Sequence, residues 1–408
     1  MSRPVVKAIK VEEPCAGPLS LLSPLERGFV KGLKRKERDR VSAMLTQMAK
    51  KAAHSTPIRL RVLQSNLPSD LKQTIFRDIV GQQGSCKYLA WVDKILSLPL
   101  GKLSLGFAHP EGMKGVLRDA KRTMDEVVSG HEELKLEVLK LICQERASGK
   151  SGGYAMGIEG APGTGKTHFV RNALSAAVGR PFVSIQLGGA CDASYLLGSL
   201  YTYEGSKEGR LAAALTEAGC MNPVLYFDEV DKISRTEKGK ELTDVLIHLI
   251  DPTSNTQMRD RFFHGLDLDF SQCTFVFSYN DPNEVSEILL DRIKRFQVRT
   301  PTSQEREDIV RRHLVPRVQT KMKSDLELSD EAVRLVANAE EGVGMRGAEK
   351  LLHDVMASAQ VSLVCDASFL NWKDAPVLKE SRSVTGSFVS RLLASRASPA
   401  PPPTMMYT

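Results

Sequence analysis

The sequence has no run of 18 consecutive apolar residues, which excludes a membrane-spanning helix. Its first residues, MSRPVVKAIKVEEP, hold no long apolar stretch and carry Glu12 and Glu13, so they do not read as a secretory or mitochondrial leader. The seven cysteines (Cys15, Cys86, Cys143, Cys191, Cys220, Cys273 and Cys365) are odd in number, and no two stand at CxxC spacing. That argues against a disulfide framework and a zinc site, and for a reducing, cytoplasmic setting. Internal repeats are absent as well. The 408 residues are 42% hydrophobic and 26% charged, a globular composition long enough for two to four structural units.

The net charge of +7 is unevenly spread. Between Arg27 and Arg61 there are eleven Lys or Arg and two acids, a local balance of +9, so the rest of the chain is close to −2. The charge argument is therefore local. Residues 1–22 have no apolar periodicity and are expected to be a flexible leader. Ser23-Pro24-Leu25-Glu26 reads as a capping box, and Val30, Leu33, Val41, Met44, Leu45 and Met48 follow at helical spacing. The spacing predicts one basic amphipathic helix to about Ala53, within a helical region over 23–125. Its basic face offers phosphate contacts to a nucleic acid; a solvated face or an inter-subunit arm is the plainer reading. Lys34-Arg35-Lys36 leaves a nuclear address open.

From Tyr154 the pattern changes. Strand-length apolar runs YAMGIE, PFVSIQL, PVLYFDE, CTFVFSY and RFQV alternate with helical segments, which predicts an α/β fold with a parallel sheet over 126–300. Residues 301–365 read as all-helical, with capping signals at Thr302/Glu305 and Ser329. The polar end from Asp366 reads as an unstructured tail over 366–408.

GAPGTGKT fits GxxxxGK[ST] between a strand and a helix. In Gly160, Ala161, Pro162, Gly163, Thr164 and Gly165 the glycines let backbone N–H groups wrap phosphates. Lys166 reaches the β/γ-phosphates, and Thr167 ligates Mg²⁺. VLYFDE places Asp228 and Glu229 at the C-terminal end of a buried strand, Asp228 for the metal and Glu229 to deprotonate an attacking water. Together the two motifs point to ATP hydrolysis with ATP and Mg²⁺ as cofactors. Asn280 ends the next strand; it can position that water, or Asn280-Asp281-Pro282 can simply turn the chain. Arg292 can reach a neighbouring subunit's nucleotide, a role that lowers a barrier by about 4–7 kcal/mol, or it can be a solvated arginine.

These residues resemble the ATPase part of Lon, an AAA+ protein, over about residues 65–365. The likeness runs through KYLAWVDKILSLPLGK, the phosphate loop, LGG to Leu215, DEVDKI, Asp251-Pro252 with Asn255, LLDRI and GVGMRGAEK. It implies an AAA+ P-loop NTPase fold with a helical lid, a homo-oligomeric ring, usually hexameric, and work on polypeptides. It places Asn280 on sensor 1, Arg292 on the arginine finger and Arg346 on sensor 2. Tyr203 falls on the aromatic pore-loop residue, and Glu204 stands where an aliphatic residue is usual. Val128-Ser129 stands where Lon has His-Tyr beside the nucleotide base. The 43 residues after Cys365 are too few for a Ser-Lys protease domain, so no peptidase activity is expected; a chaperone role and the feeding of a separate protease are the two options left open. The expected function is protein unfolding or translocation. A nucleic-acid-associated ATPase and a non-enzymatic nucleotide-binding scaffold are the alternatives.

Overall fold

A computed structural model describes residues 24–53, 56–81, 86–104, 106, 111–148, 153–190, 192–203, 205–339, 344–364 and 382–397. They fall into two compact units, one ending at Leu89 and one beginning at Ala90.

The first unit is helical: Pro24–Gly32, Arg35–Ala53, Ile58–Gln64, Ser69–Gly81 and the start of Cys86–Ser97. The single basic helix expected to Ala53 is two, separated at Leu33 and Lys34. Gly28 and Gly32 explain the break. Each weakens a helix by about 1 kcal/mol relative to alanine, and no neighbour lies within 4 Å of the space a Cβ would fill. Residues 34–40 are all exposed. Ser23, the expected cap, lies outside the described residues.

The second unit is built on five parallel strands in the order β2-β3-β6-β1-β7. They are β1 (Tyr154–Gly160), β2 (Phe182–Gln186), β3 (Val224–Asp228), β6 (Thr274–Tyr279) and β7 (Lys294–Val298). A small hairpin pairs β4 (Met258–Arg259) with β5 (Asp267–Leu268). Every residue of β6 is buried, as expected of a central strand covered on both faces. Side chains alternate. Ile158, Tyr226 and Val276 meet Met124, Val138 and Leu141 of the helices Met113–Val127 and Glu132–Ser148. On alternate positions Phe227 stacks on Phe277, with 5.0 Å between centroids. Parallel pairing brings the C-terminal ends of β1, β3 and β6 to one edge, in register Phe227↔Phe277 and Ile158↔Ser278. The helix after the phosphate loop, residues 166–178, contains a π-type turn and ends at Gly179, with φ of 67°.

The lid packs the helical stretch 303–322 with Asp330–Asn338 and Met345–Val364. Thr302 and Glu305 form the expected capping box, and Ser329 accepts from the Ala332 N–H. Two expectations change here. The lid is not purely helical, because β8 (Glu327–Leu328) pairs in parallel with β9 (Ser383–Val384). The polar end is also not wholly unstructured, because Gly386–Ala397 is a helix that buries Phe388, Val389 and Leu392 in the lid core. Four apolar residues in one short stretch (Phe388, Val389, Leu392 and Leu393) supply that face, and mean polarity hid them. The rest of the expected tail, 366–381 and 398–408, lies outside the described residues. Among the described residues, no helix is long and apolar enough to cross a membrane.

Candidate functional site

At the end of β1 the chain turns through residues 160–165. Gly163 and Gly165 take φ of 78° and 90°, a region that only glycine enters cheaply. Gly160 is needed for space, since a Cβ there would lie 2.7 Å from the Val298 carbonyl oxygen. Thr164 Oγ1 donates to the Ala161 carbonyl at 2.9 Å and steadies the turn. Lys166 is buried. Its Nζ donates to the carbonyls of Gly160 and Ala161 and to Asn280 Oδ1, the last at 2.9 Å. Burial lowers the Lys166 pKa, Asp228 and Asp231 oppose that, and the Arg346 charge adds to it. The neighbouring strands β1 and β6 thus bring Lys166 and Asn280 into contact.

Asp228 ends β3 in a network of hydroxyls. Ser278 Oγ donates to its Oδ1 at 2.5 Å, and the Tyr226 hydroxyl lies 3.3 Å from the same oxygen. That hydroxyl is 3.0 Å from Thr167 Oγ1, so one tyrosine links the two expected metal-binding residues. Burial pushes the Tyr226 pKa up to about 12, so it remains a neutral hydroxyl. The donor set suits Mg²⁺: hard oxygens from one hydroxyl and one carboxylate.

Glu229 follows at φ 59° and ψ 46°, a left-handed conformation that costs about 1–2 kcal/mol outside glycine. Its exposed carboxylate lies against Gly188, where any Cβ would collide with it. Asp231, buried, accepts from the backbone N–H groups of Asn280 at 3.2 Å and Asp281 at 3.4 Å. Asp281 in turn accepts from the Asn283 N–H at 2.9 Å, so the stretch both turns the chain and presents Asn280 to Lys166.

The lid meets this loop. Met345 N–H donates to the Gly163 carbonyl at 3.1 Å, and a Cβ on Gly344 would lie 2.5 Å from the Pro162 carbonyl oxygen. Arg346 stands in the first turn of Met345–Val364, exposed. Arg292 is elsewhere: half-exposed after the helix Glu287–Asp291, it donates to Asp251 Oδ2 at 2.9 Å. Tyr203 is 65% exposed on a turn whose neighbour Tyr201 packs on Trp91, while Glu204 lies outside the described residues. Val128 is buried in the core, and Ser129 Oγ is 3.3 Å from His313 Nε2 on the lid. The motif reading did not assign Tyr226, Ser278, Gly188 or Asp231. The available signal was a hydroxyl within each of two apolar strands, since buried polar groups need partners.

Residues 156–303 match the family model described as ATPase family associated with various cellular activities (AAA). A Lon protease homolog of Acanthamoeba polyphaga mimivirus is 34% identical over 203 residues, 50% of this chain and 20% of that protein. The Lon protease of Helicobacter pylori (strain ATCC 700392 / 26695) is 31% identical over 253 residues, 60% of this chain and 30% of that protein. That of Finegoldia magna is 27% identical over 308 residues, 74% of this chain and 37% of that protein. The chain thus spans at most 37% of these three relatives. A phosphate loop at the edge of a five-stranded parallel sheet, with a helical lid against it, is an α/β P-loop NTPase arrangement whose residues 156–303 match the AAA family model, and the module around it resembles that of the Lon proteases.

Proposed function

We propose that the chain hydrolyses ATP with Mg²⁺ and couples it to unfolding or translocating polypeptides, in a ring of like subunits. The observation that carries the reading is the meeting of Lys166, Asn280, Asp228 and Thr167 at one sheet edge, with the lid helix of Arg346 beside them. Lys166 binds the β/γ-phosphate oxygens, and Thr167 and Asp228 hold Mg²⁺. Bound Mg²⁺ would offset charge on those oxygens. Glu229 takes the proton of the attacking water, and Asn280 orients that water. Arg346 from the lid and Arg292 from a neighbouring subunit would steady the transferred charge. Tyr203, with Glu204, would grip the polypeptide. The printed names of the relatives support protein as the object of the work. Unfolding, not peptide cleavage, is the work assigned to the described residues, with a separate protease as one recipient of the product. The free thiols Cys86, Cys143, Cys220 and Cys273 suit a reducing, cytoplasmic setting.

The exposed basic stretch 34–40 favours one second reading, a nucleic-acid-associated ATPase. One experiment separates the two. The ATPase rate of assembled protein is measured alone, with an unfolded protein and with single-stranded DNA. Unfolded protein should raise the rate, and Tyr203→Ala should remove that rise. Stimulation by DNA alone would overturn the first reading.

A further inference from the structure

Inside β3 a tyrosine stands where a hydrocarbon side chain would pack equally well. Tyr226 is fully buried in the core between the sheet and the helices Met113–Val127 and Glu132–Ser148. Its ring packs on Phe182, with centroids 5.7 Å apart and planes at 34°. Phenylalanine would keep that contact. A buried hydroxyl costs free energy unless it is hydrogen-bonded, so its partners show its use. They are Thr167 Oγ1 at 3.0 Å and Asp228 Oδ1 at 3.3 Å, the two residues expected to hold Mg²⁺.

Each proton in this chain of groups has one place to go. An ionised carboxylate only accepts, so the Tyr226 O–H donates to Asp228. Tyr226 has no second proton, so in the contact between the hydroxyls Thr167 donates and Tyr226 accepts. The Thr167 lone pairs are then left free. The two oxygens of Asp228 are sorted in the same way. Oδ1 accepts from Tyr226, from Ser278 Oγ at 2.5 Å and from the Glu229 N–H at 3.1 Å. Among the described residues, Oδ2 meets only the exposed Gln186 amide, at 3.4 Å. One oxygen is pinned, and the other is open to a cation. We propose that Tyr226 is a positioning residue for Mg²⁺-ATP binding, its hydroxyl holding Thr167 and Asp228 so that the Thr167 lone pairs and Asp228 Oδ2 stay free for the metal. The proposal rests on the ATPase reading above. Without the hydroxyl, Thr167 and Asp228 each lose a partner, and binding must order them.

The test measures the affinity of the full chain for a non-hydrolysable ATP analogue by isothermal titration, with Mg²⁺ and with EDTA. The ratio of the two is the gain from Mg²⁺, and Asp228→Asn is the control for its loss. Tyr226→Phe removes the hydroxyl and keeps the ring. Its affinity in EDTA should stay within about twofold of wild type, while the gain from Mg²⁺ shrinks about tenfold, the effect of one hydrogen bond. A hydroxyl that serves stability alone would lower the nucleotide-free melting temperature and leave the gain at its wild-type size. That result, or a larger gain in Tyr226→Phe, overturns the positioning role alone. A wild-type chain that binds no analogue or gains nothing from Mg²⁺, or a gain that survives Asp228→Asn, overturns the ATPase reading as drawn and this role with it.

Discussion

A Cβ on Gly188 would collide with the end of the Glu229 carboxylate and push it aside, while Glu229 itself holds a strained left-handed backbone. The two features act together: strain aims the carboxylate, and a bare glycine lets it lie there. Gly188→Ala should therefore displace Glu229 and lower kcat at least about tenfold while changing ATP affinity by less than about twofold. Steady-state kinetics beside equilibrium binding would check the split; a parallel loss of both would mean the loop itself had collapsed. Single residues were legible where a motif encodes a backbone shape. Gly163, Gly165, Lys166 and Thr167 belong to that class. Tyr226 and Ser278 do not, because their hydroxyls meet Asp228 only once β3 and β6 lie side by side.

At the scale of elements, β3 and β6 were readable because buried central strands are apolar nearly throughout, and β1, β2 and β7 because shorter apolar runs recur between helical segments. The split of the basic helix and the last lid helix were missed, one because two glycines weaken a periodic pattern and the other because four apolar residues sit in a polar stretch. The stem of the Tyr203 loop rests on a contact no pattern announces. Asp260, buried, accepts from the N–H groups of Gly209 and Phe262, each at 2.8 Å. Burial raises its pKa from 3.8 to about 6, with the amides partly opposing that shift. Between those values the folded chain keeps a proton that the unfolded chain has lost. Stability from this group therefore rises as pH falls from about 6 to about 4, by up to about 3 kcal/mol. Denaturant melts at pH 7 and pH 4.5 should show the wild type gaining stability relative to Asp260→Asn toward acid. Parallel pH profiles would remove Asp260 as the titrating group.

Over the whole molecule, the excess positive charge lies in the first unit, and the sequence from Ala90 onward, which carries the ATPase domain, does not share it. Charge therefore bears on what the first unit touches, and the proposed chemistry rests on the second. The order of the motifs made the AAA assignment readable in advance. The assembly was not readable in that way, because Arg292 pairs with Asp251 in its own chain and its proposed target belongs to another. The central claim is that the edge formed by β1, β3 and β6 hydrolyses ATP. The most direct measurement is ATP turnover by the assembled chain with Mg²⁺, beside Glu229→Gln at equal ATP occupancy. Steady turnover is expected of the wild type, and a fall of at least about 10²-fold in Glu229→Gln with binding retained. Turnover undiminished by Glu229→Gln, or none from an assembled, ATP-bound wild type, would contradict it.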